Sequence, residues 1–288
     1  MGRKIVKCKT IFKTKIEPDK TCRFKTRMTM KGFMLQPGID YKDTFSPVAS
    51  ETSTRMAISI YLYGEKGLPE NTDIKFNIDM IDIEAAFLEG KLPKPVYIEF
   101  PPGLLEVGMI SEEESKTKCI ELSGGMYGSP ESAIQFFREY SNHLKQNGYQ
   151  QSRMDPSVFF KKDEAGRTVL IAVIHVDDTL IVGTKEEINK FKTIVGQRFG
   201  YTDKDGFKKH LGVWYEEQED KDKNKCIIAT MKDTVQNIIA TFENHYTRGQ
   251  LQESNTPGKP GNTMAKMKNQ QLTQKSIEKL SENHIFGV

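Results

Sequence analysis

The amino-acid sequence predicts an α+β fold in which antiparallel hairpins alternate with amphipathic helices. Short segments with alternating apolar and polar residues are separated by turn residues, a pattern typical of hairpins. Longer segments place apolar side chains at helical spacing, as residues 132–147 do. Two strongly apolar strands, residues 168–176 and 179–182, flank the pair Asp177-Asp178. These three observations carry the prediction.

The first 31 residues predict a twisted hairpin with one charged face. Residues 4–15 and 22–31 alternate apolar and basic side chains on either side of a turn at 17–20. This stretch holds eleven basic and two acidic residues, whereas the whole chain has a net charge of only +3. A basic arm on a nearly neutral protein favours a polyanionic partner, but a solvated lysine-rich hairpin has the same composition. Charge alone leaves both interpretations open.

Turn residues and helix caps predict the elements that follow. A long ordered loop is expected from Gly32 to Ser50, and Thr52 is expected to cap a helix over 53–65 that ends at Gly64 or Gly67. The further predicted elements, in chain order, are a strand over 75–82, a helical turn over 84–90, a strand over 96–100, an acidic irregular segment over 104–118, a helix from Ser129 or Ser132 to about Asn147, a helix over 185–198, a hairpin of 211–216 with 226–230, and a helix over 232–248. Residues 249–288 are polar and are expected to be loosely ordered.

Composition excludes several classes of protein. With 288 residues, of which 37% are hydrophobic and 28% charged, the chain has enough apolar material for a core. No apolar run reaches the length of about 18 residues that a membrane span needs, and the basic N-terminus lacks the apolar stretch of a secretory signal. The cysteines at 8, 22, 119 and 226 are too scattered to predict disulfides or a zinc site, so a reducing compartment is expected.

Three aspartates form the main candidate site. Asp177 and Asp178 stand between two apolar strands, and Asp82 ends another apolar strand. An ordinary Asp-rich turn is one explanation of the pair. However, close carboxylates repel one another unless a cation neutralises them, and such oxygen clusters suit Mg²⁺ or Mn²⁺. Two strands that present three carboxylates are typical of a two-metal phosphoryl-transfer site, with Asp79 as the alternative to Asp82.

Several motifs follow one another along the chain and cover about residues 9–261. The runs are KCKTIFKTKIEPD (7–19), RFKTRMTMKGFMLQPGIDYKDTFSPVAS (23–50), IDIEAAFLEGKLPKPVYIEFPPG (81–103), LSGGMYGSPESAIQFF (122–137), DPSVFFKK (155–162), VIHVDDTLIVG (173–183), HLGV (210–213) and NTPGKPG (255–261). In this order they resemble one family, the reverse transcriptase domain of copia-type LTR retrotransposon Pol polyproteins.

The resemblance implies a right-hand polymerase with fingers, palm and thumb, and a ferredoxin-like palm around an antiparallel sheet. Residues 1–248 would form the reverse transcriptase domain, with fingers and palm over about 1–216 and a partial thumb over about 217–248, followed by a connector at 249–288. The implied function is RNA-directed DNA polymerase, a nucleotidyltransferase that adds dNTPs to a primer on an RNA or DNA template. A cytoplasmic location, in virus-like particles, or a nuclear one is expected, with no membrane partner. The motifs specify no oligomeric state.

The resemblance also assigns roles to particular residues. Two Mg²⁺ ions, or Mn²⁺, would be held by Asp82, Asp177 and Asp178 together with the backbone carbonyl of Ile83. Asp82 is preferred over Asp79 because the family pattern is Asp-x-x-x-Ala-aromatic, here residues 82–87. The implied dNTP-binding residues are Lys25, Arg27, Lys31, Phe87, Tyr127 and Gly128. The implied primer-binding residues are His175, Val176, Leu211 and Gly212. Phe87 would exclude a ribose 2′-hydroxyl, although a core phenylalanine on a short helix is the alternative.

The chain also departs from the family pattern. His175 replaces the usual tyrosine before Val-Asp-Asp, and Lys31 stands where arginine is usual. The run 129–134 has lost two basic residues and gained Glu131, which the resemblance places beside the template path. None of the runs in these 288 residues resembles a protease, integrase or RNase H segment, so a fragmentary element copy is one expectation. These departures keep two alternatives open. One is a catalytically weak or inactive element fragment that only binds nucleic acid, and the other is a translated fragment with no selected role.

Overall fold

The computed structural model describes residues 4–16, 21–64, 74–204 and 206–245. The chain divides into two units, Met1–Met231 and Lys232–Val288. The strands described in the first unit are β1 (Ile5–Val6), β2 (Cys8–Ile16), β3 (Cys22–Met30), β4 (Asn77–Ile83), β5 (Lys91–Ile98), β6 (Ile120–Gly124), β7 (Gln150–Gln151), β8 (Val158–Lys162), β9 (Thr168–His175), β10 (Asp178–Gly183), β11 (Tyr201–Asp203), β12 (Lys209–His210), β13 (Val213–Glu219) and β14 (Lys225–Thr230). Its helices are α1 (Glu51–Tyr63), α2 (Ala86–Glu89), α3 (Glu112–Thr117), α4 (Ser132–Gln146) and α5 (Lys185–Gly196). In the second unit the described element is helix α6 (Lys232–His245).

A six-stranded antiparallel sheet organises the first unit. Its strand order is β11-β4-β10-β9-β8-β7, and every neighbouring pair runs antiparallel. Strand β10 therefore lies between β4 and β9, which brings residues far apart in the sequence side by side. The predicted combination of helices with an antiparallel sheet is confirmed.

Helices cover both faces of this sheet. On one face, Tyr140 and Leu144 of α4 and Phe191 of α5 pack with sheet residues such as Ile81 in one buried cluster. On the other face, Ala57 of α1 packs in a second cluster whose sheet members are Val173, Leu180 and Val182. Because β9 and β10 are buried on both sides, their sequences are almost continuously apolar instead of alternating.

Helix α1 begins two residues earlier than the sequence predicts. Its N-cap is Ser50, whose Oγ accepts a hydrogen bond from the backbone N–H of Ser53 at 3.1 Å. The predicted cap at Thr52 is therefore wrong, since Thr52 already lies inside the helix. Asp155 explains the choice of Ser50, because its carboxylate accepts hydrogen bonds from the Ser50 N–H at 2.9 Å and the Ser53 hydroxyl at 2.6 Å. The predicted end at Gly64 is confirmed, and Gly67 lies outside the described residues.

The basic hairpin is formed by β2 and β3, but residues 5–6 do not belong to it. They form β1, which pairs in parallel with β5. Strand β5 also pairs with β6, and this small sheet encloses a core that includes Val6, Met30 and Ile98. A parallel partner so distant in sequence leaves no local signal. The β2–β3 register places Lys13, Lys25 and Arg27 on one face of the hairpin.

One predicted irregular segment contains a helix. Ser111 and Glu114 form a reciprocal capping box at the start of α3, and Lys116 and Lys118 pair with the glutamates four residues before them. The Ser-x-x-Glu pattern was the available signal. In the part of the chain that the structure describes, none of the helices has the length and apolarity that crossing a membrane requires. The predicted turn at 17–20 and the predicted loose segment at 249–288 fall outside the described residues.

Candidate active site

Sheet register places two of the three candidate carboxylates opposite each other. Asp82, near the end of β4, pairs with Asp178, the first residue of β10. The backbone carbonyl of Asp177 accepts a hydrogen bond of 2.8 Å from the N–H of Ile83. Since the N–H and C=O of one strand residue point to the same side, the Ile83 carbonyl also faces this turn. The three aspartates and the Ile83 carbonyl thus lie at one end of the β4–β10 pair.

The turn between β9 and β10 holds a strained residue. His175 pairs directly with Asp178, so Val176 and Asp177 form a two-residue connection. Val176 has a φ of 57°, in the left-handed region that β-branched residues rarely occupy. Such strain is stored most often at functional sites, where the surrounding structure enforces it. Here the strain belongs to the connection that presents Asp177 and Asp178.

The electrostatics of Asp178 show that the carboxylates interact. Burial raises the pKa of the Asp178 carboxyl, and the negative charges of Asp82 and Asp177 raise it further. Lys204 and His175 act in the opposite direction and lower it. A hard divalent cation would relieve the remaining repulsion between the carboxylates, so the donor chemistry fits Mg²⁺ or Mn²⁺.

The described residues contain no group of three or more His, Cys, Asp or Glu side chains already arranged around a metal position. Instead, Asp82 Oδ2 forms an ion pair with the Nζ of Lys204, which lies just beyond β11. This lysine carries the positive charge beside the carboxylates. No sequence pattern indicates this role, because Lys204 belongs to no recognised motif and lies 122 residues from Asp82.

The alternative residue Asp79 lies elsewhere. Alternation along β4 places Asp79 on the opposite face of the sheet from Asp82. Its carboxylate pairs with Lys192 Nζ at 2.5 Å, and the same ammonium group pairs with Asp203 at 2.5 Å. This bridge joins α5 to the edge of the sheet, which is a structural role.

Three of the expected nucleotide-binding residues form a cluster. The rings of Phe87 and Tyr127 contact each other edge to face, with centroids 5.5 Å apart and planes at 84°. The Arg27 guanidinium lies 5.6 Å from the Tyr127 ring centroid. Its Nε is buried and has no hydrogen-bond partner among the described residues. Phe87 itself is only half-buried, so it is not part of the central core.

Gly128 allows the hairpin to approach this cluster closely. It has a φ of 83°, and a Cβ on it would lie 2.3 Å from the carbonyl oxygen of Met30. The neighbouring Tyr127 carbonyl accepts a hydrogen bond of 2.9 Å from the Met30 N–H. These contacts fasten the end of β3 to the segment that carries Tyr127, which explains why only glycine fits there.

Lys25 and Lys31, the other two predicted triphosphate-binding residues, lie in different surroundings. Lys25 is exposed on the same face of β3 as Arg27, two residues away. Lys31 lies beyond β3, where its N–H donates to the Lys7 carbonyl at 2.8 Å. Its side chain lines a surface groove together with Cys8 and Phe12. The structure therefore aligns Lys25 with Arg27, while Lys31 lies in a separate groove.

His210, which was not among the predicted primer-binding residues, connects the two groups of residues that were. It contacts His175 and directly precedes Leu211 and Gly212. The ring of His175 lies 6.2 Å from the ring of His210, the last residue of β12. Leu211 and Gly212, with φ values of 49° and 81°, form the tight turn into β13, and the Leu211 side chain is exposed. His210 is only 2% exposed, and neither ring nitrogen has a partner among the described residues. Burial, and then the charge of His175, lower the pKa of His210 to about 4.

Comparison with known proteins identifies the family. The model of the reverse transcriptase (RNA-dependent DNA polymerase) family matches residues 1–249. The chain belongs to this family. The Pol polyprotein of transposon TNT 1-94 from Nicotiana tabacum is 30% identical over 214 residues, which is 74% of this chain and 15% of that protein. The Pol polyprotein of transposon RE1 from Arabidopsis thaliana is 29% identical over 211 residues, 73% of this chain and 13% of that protein.

The predicted resemblance to the reverse transcriptase domain of copia-type Pol polyproteins is thereby confirmed. The aligned region covers only a small part of the length of these curated relatives. Among solved structures, one of telomerase from Candida albicans with a fragment of telomeric RNA matches with a TM-score of 0.34 and 12% identity, over 73% of this chain and 44% of that chain. The family assignment rests on the sequence match.

Proposed function

We propose that this chain is an RNA-directed DNA polymerase that extends a primer by two-metal phosphoryl transfer. The observation that carries the proposal is the register that pairs Asp82 with Asp178 and binds the Asp177 carbonyl to Ile83. Family membership makes polymerase chemistry the expected use of this carboxylate end. The fingers, palm and thumb arrangement, with fingers and palm to about residue 216 and a partial thumb beyond, is part of the same proposal.

The carboxylates of Asp82, Asp177 and Asp178 and the carbonyl of Ile83 would hold the metal ions. Bound Mg²⁺ or Mn²⁺ would supply Lewis-acid activation of the primer hydroxyl and stabilisation of charge on the departing pyrophosphate. The β4–β10 pairing keeps the two strand-borne carboxylates at a fixed separation before any substrate arrives. Such preorganisation is what phosphoryl transfer demands of a protein.

Arg27 and Lys25 would bind the triphosphate of the incoming dNTP. The Arg27 guanidinium lies 5.6 Å from the centroid of the Tyr127 ring and would offer N–H donors that match phosphate oxygens. Lys31 would contribute charge from the neighbouring groove. Phe87, held by the edge-to-face contact with Tyr127, would form a wall against a ribose 2′-hydroxyl.

His175, Val176, Leu211 and Gly212 would position the primer end. The exposed Leu211 turn and the His175–His210 contact link the β12–β13 turn to the strand that ends beside Asp177. The basic face of the β2–β3 hairpin would contact phosphates of the template and primer.

The alternative of a fragment that only binds nucleic acid relied partly on the acid gained at Glu131. In the structure Glu131 directly precedes α4 and is only 8% exposed, and its carboxylate accepts a hydrogen bond of 3.2 Å from the backbone N–H of Lys42. This acid therefore serves the local fold and does not add negative charge to an open surface. The gained acid thus gives that alternative little support, whereas the loss of two basic residues from 129–134 still favours it.

Primer extension on poly(rA)/oligo(dT) with Mg²⁺ or Mn²⁺ tests the proposal. Asp82→Asn and Asp177→Asn should abolish extension and leave the melting temperature nearly unchanged, and Asp178→Asn should impair it. Asp79→Asn is the matched control, since it removes a carboxylate from the same strand on the opposite face and should retain extension. Equal extension by the wild type and all of these variants would contradict the carboxylate assignment. Hybrid binding without any extension would support the binding-only alternative.

A further inference from the structure

Lys204 is the basic side chain in direct contact with the proposed metal ligands. Its backbone N–H donates to the Met80 carbonyl at 3.1 Å, which continues the β11–β4 pairing and holds Lys204 beside the middle of β4, two residues before Asp82. Its ammonium group forms the ion pair with Asp82, and about one third of each side chain is exposed, 35% for Lys204 and 34% for Asp82. The backbone of Lys204 is thus held to β4, which keeps the base of its side chain near Asp82.

The positive charge acts on both strands. Lys204 lowers the pKa of the Asp178 carboxyl on β10, against the raising effects of burial, Asp82 and Asp177. The nearby Lys192 is committed to Asp79 and Asp203 on the other face of the sheet. The two lysines therefore have different roles. Lys192 bridges α5 to the edge of the sheet, whereas Lys204 lies among the proposed metal ligands.

We propose that Lys204 is a tethered counter-cation that neutralises the metal-free carboxylate end and must leave Asp82 when a divalent ion binds. This inference rests on the proposed metal-binding function of Asp82, Asp177 and Asp178. A hard cation takes carboxylate oxygens as its ligands, and Oδ2 of Asp82 is already paired with the lysine Nζ, whose positive charge would lie beside that of the bound ion. Lys204 thus competes with the metal and sets the ion concentration that the site requires.

The prediction concerns binding of Mn²⁺ alone, without nucleotide or nucleic acid. Lys204→Gln and Lys204→Met remove the competing charge and should lower the Mn²⁺ concentration at half-saturation by about two- to fivefold, because exposed ion pairs are individually weak. Lys204→Arg keeps the charge and should bind Mn²⁺ no more tightly than the wild type. Lys190→Gln removes an equal charge from an ion pair with Glu186 and Glu187 on α5 and should leave Mn²⁺ binding unchanged.

Electron paramagnetic resonance of free Mn²⁺ would measure binding, and thermal melting would provide an independent measurement. The melting temperature of Lys204→Gln should be lower than that of the wild type without metal and should rise more when Mn²⁺ is added. Asp177→Asn should lose the binding, which identifies the site being measured. Wild-type affinity in both Lys204→Gln and Lys204→Met, or weaker binding, would overturn the inference while leaving the proposed function intact. Absence of saturable Mn²⁺ binding in the wild type would overturn both.

Discussion

Shrinking Phe87 to alanine or valine should change sugar selection more than it changes the fold. The ring is half-buried, and its edge-to-face partner is Tyr127 at 5.5 Å. A fully buried Phe→Ala change costs about 3–5 kcal/mol, so a half-buried ring predicts roughly 2 kcal/mol, of which about 0.5–1.5 kcal/mol is the aromatic contact. A loss of this size should lower the melting temperature without preventing folding.

Catalysis should respond differently to ribonucleotides and deoxyribonucleotides. If Phe87 blocks the 2′-hydroxyl by its shape, a steric clash of about 2–3 kcal/mol disappears, and rNTP use should rise roughly 30- to 150-fold relative to dNTP use. Single-nucleotide incorporation on one primer-template, with rNTP and dNTP of the same base, would measure the ratio of kcat/KM. Phe87→Tyr keeps the ring and should keep the selectivity.

A second control separates selectivity from general damage. Phe33→Ala removes an aromatic ring that is 85% exposed, so both the melting temperature and the ratio should stay at the wild-type value. A Phe87→Ala protein with a lowered melting temperature and an unchanged ratio would refute the sugar-selection argument. In that case Phe87 would be a packing residue of the Tyr127 segment.

Three further predictions follow from contacts in the first unit. Arg27→Ala and Lys25→Ala should raise the KM for dNTP more than they raise the Kd for an RNA–DNA hybrid. The affinity of the wild type for the hybrid should fall steeply with salt, as titrations at several salt concentrations would show. A salt-independent Kd would argue against phosphate contacts. Burial and the charge of His175 lower the pKa of His210 to about 4, so the unfolded chain binds the proton first as the pH falls. The free energy of unfolding should therefore fall by up to about 3 kcal/mol between about pH 6.5 and 4, and urea unfolding of His210→Phe should lack this component. Burial raises the pKa of the Asp155 carboxyl, but the hydrogen bonds from Ser53, Ser50 and Ser157 outweigh burial and lower it. The stabilisation that this carboxylate provides is therefore present above about pH 4 and is lost on further acidification. The free energy of unfolding of Asp155→Asn should depend less on pH in this acidic range, and an unchanged pH dependence would count against the hydrogen-bond network that caps α1.

Sequence patterns predicted the secondary structure correctly where it depends on the residues of a single segment. The bounds of α4 and α5 lie within about two residues of prediction because their apolar faces repeat at helical spacing. The β9–β10 hairpin was predictable because two apolar runs enclose a short polar connection. Helix α1 shows the limit of such patterns, since Ser50 and Thr52 are both good caps and Asp155, distant in sequence, favours Ser50.

Contacts between distant segments could not be predicted in the same way. The carboxylate pattern alone left Asp79 and Asp82 as alternatives, and the resemblance to the family favoured Asp82. The pairing of β4 with β10 and β11 then showed which face meets Asp178 and which meets Lys192. Lys204 and His210 lie on short elements whose neighbours are set by tertiary packing, so no motif indicated their partners.

By itself, the sequence determined the family and the order of the main helices and hairpins, because ordered motifs and hydrophobic periodicity are properties of the chain alone. It also indicated Asp82, Asp177 and Asp178 as the proposed metal ligands. The tertiary structure decided the register that sets Asp82 against Asp178, the Lys204 ion pair, the Arg27–Tyr127–Phe87 cluster and the burial of Glu131 and His210. These features depend on which strands become neighbours and which faces become buried. Charge, stacking and desolvation act between atoms that are close in space, whatever their separation along the chain.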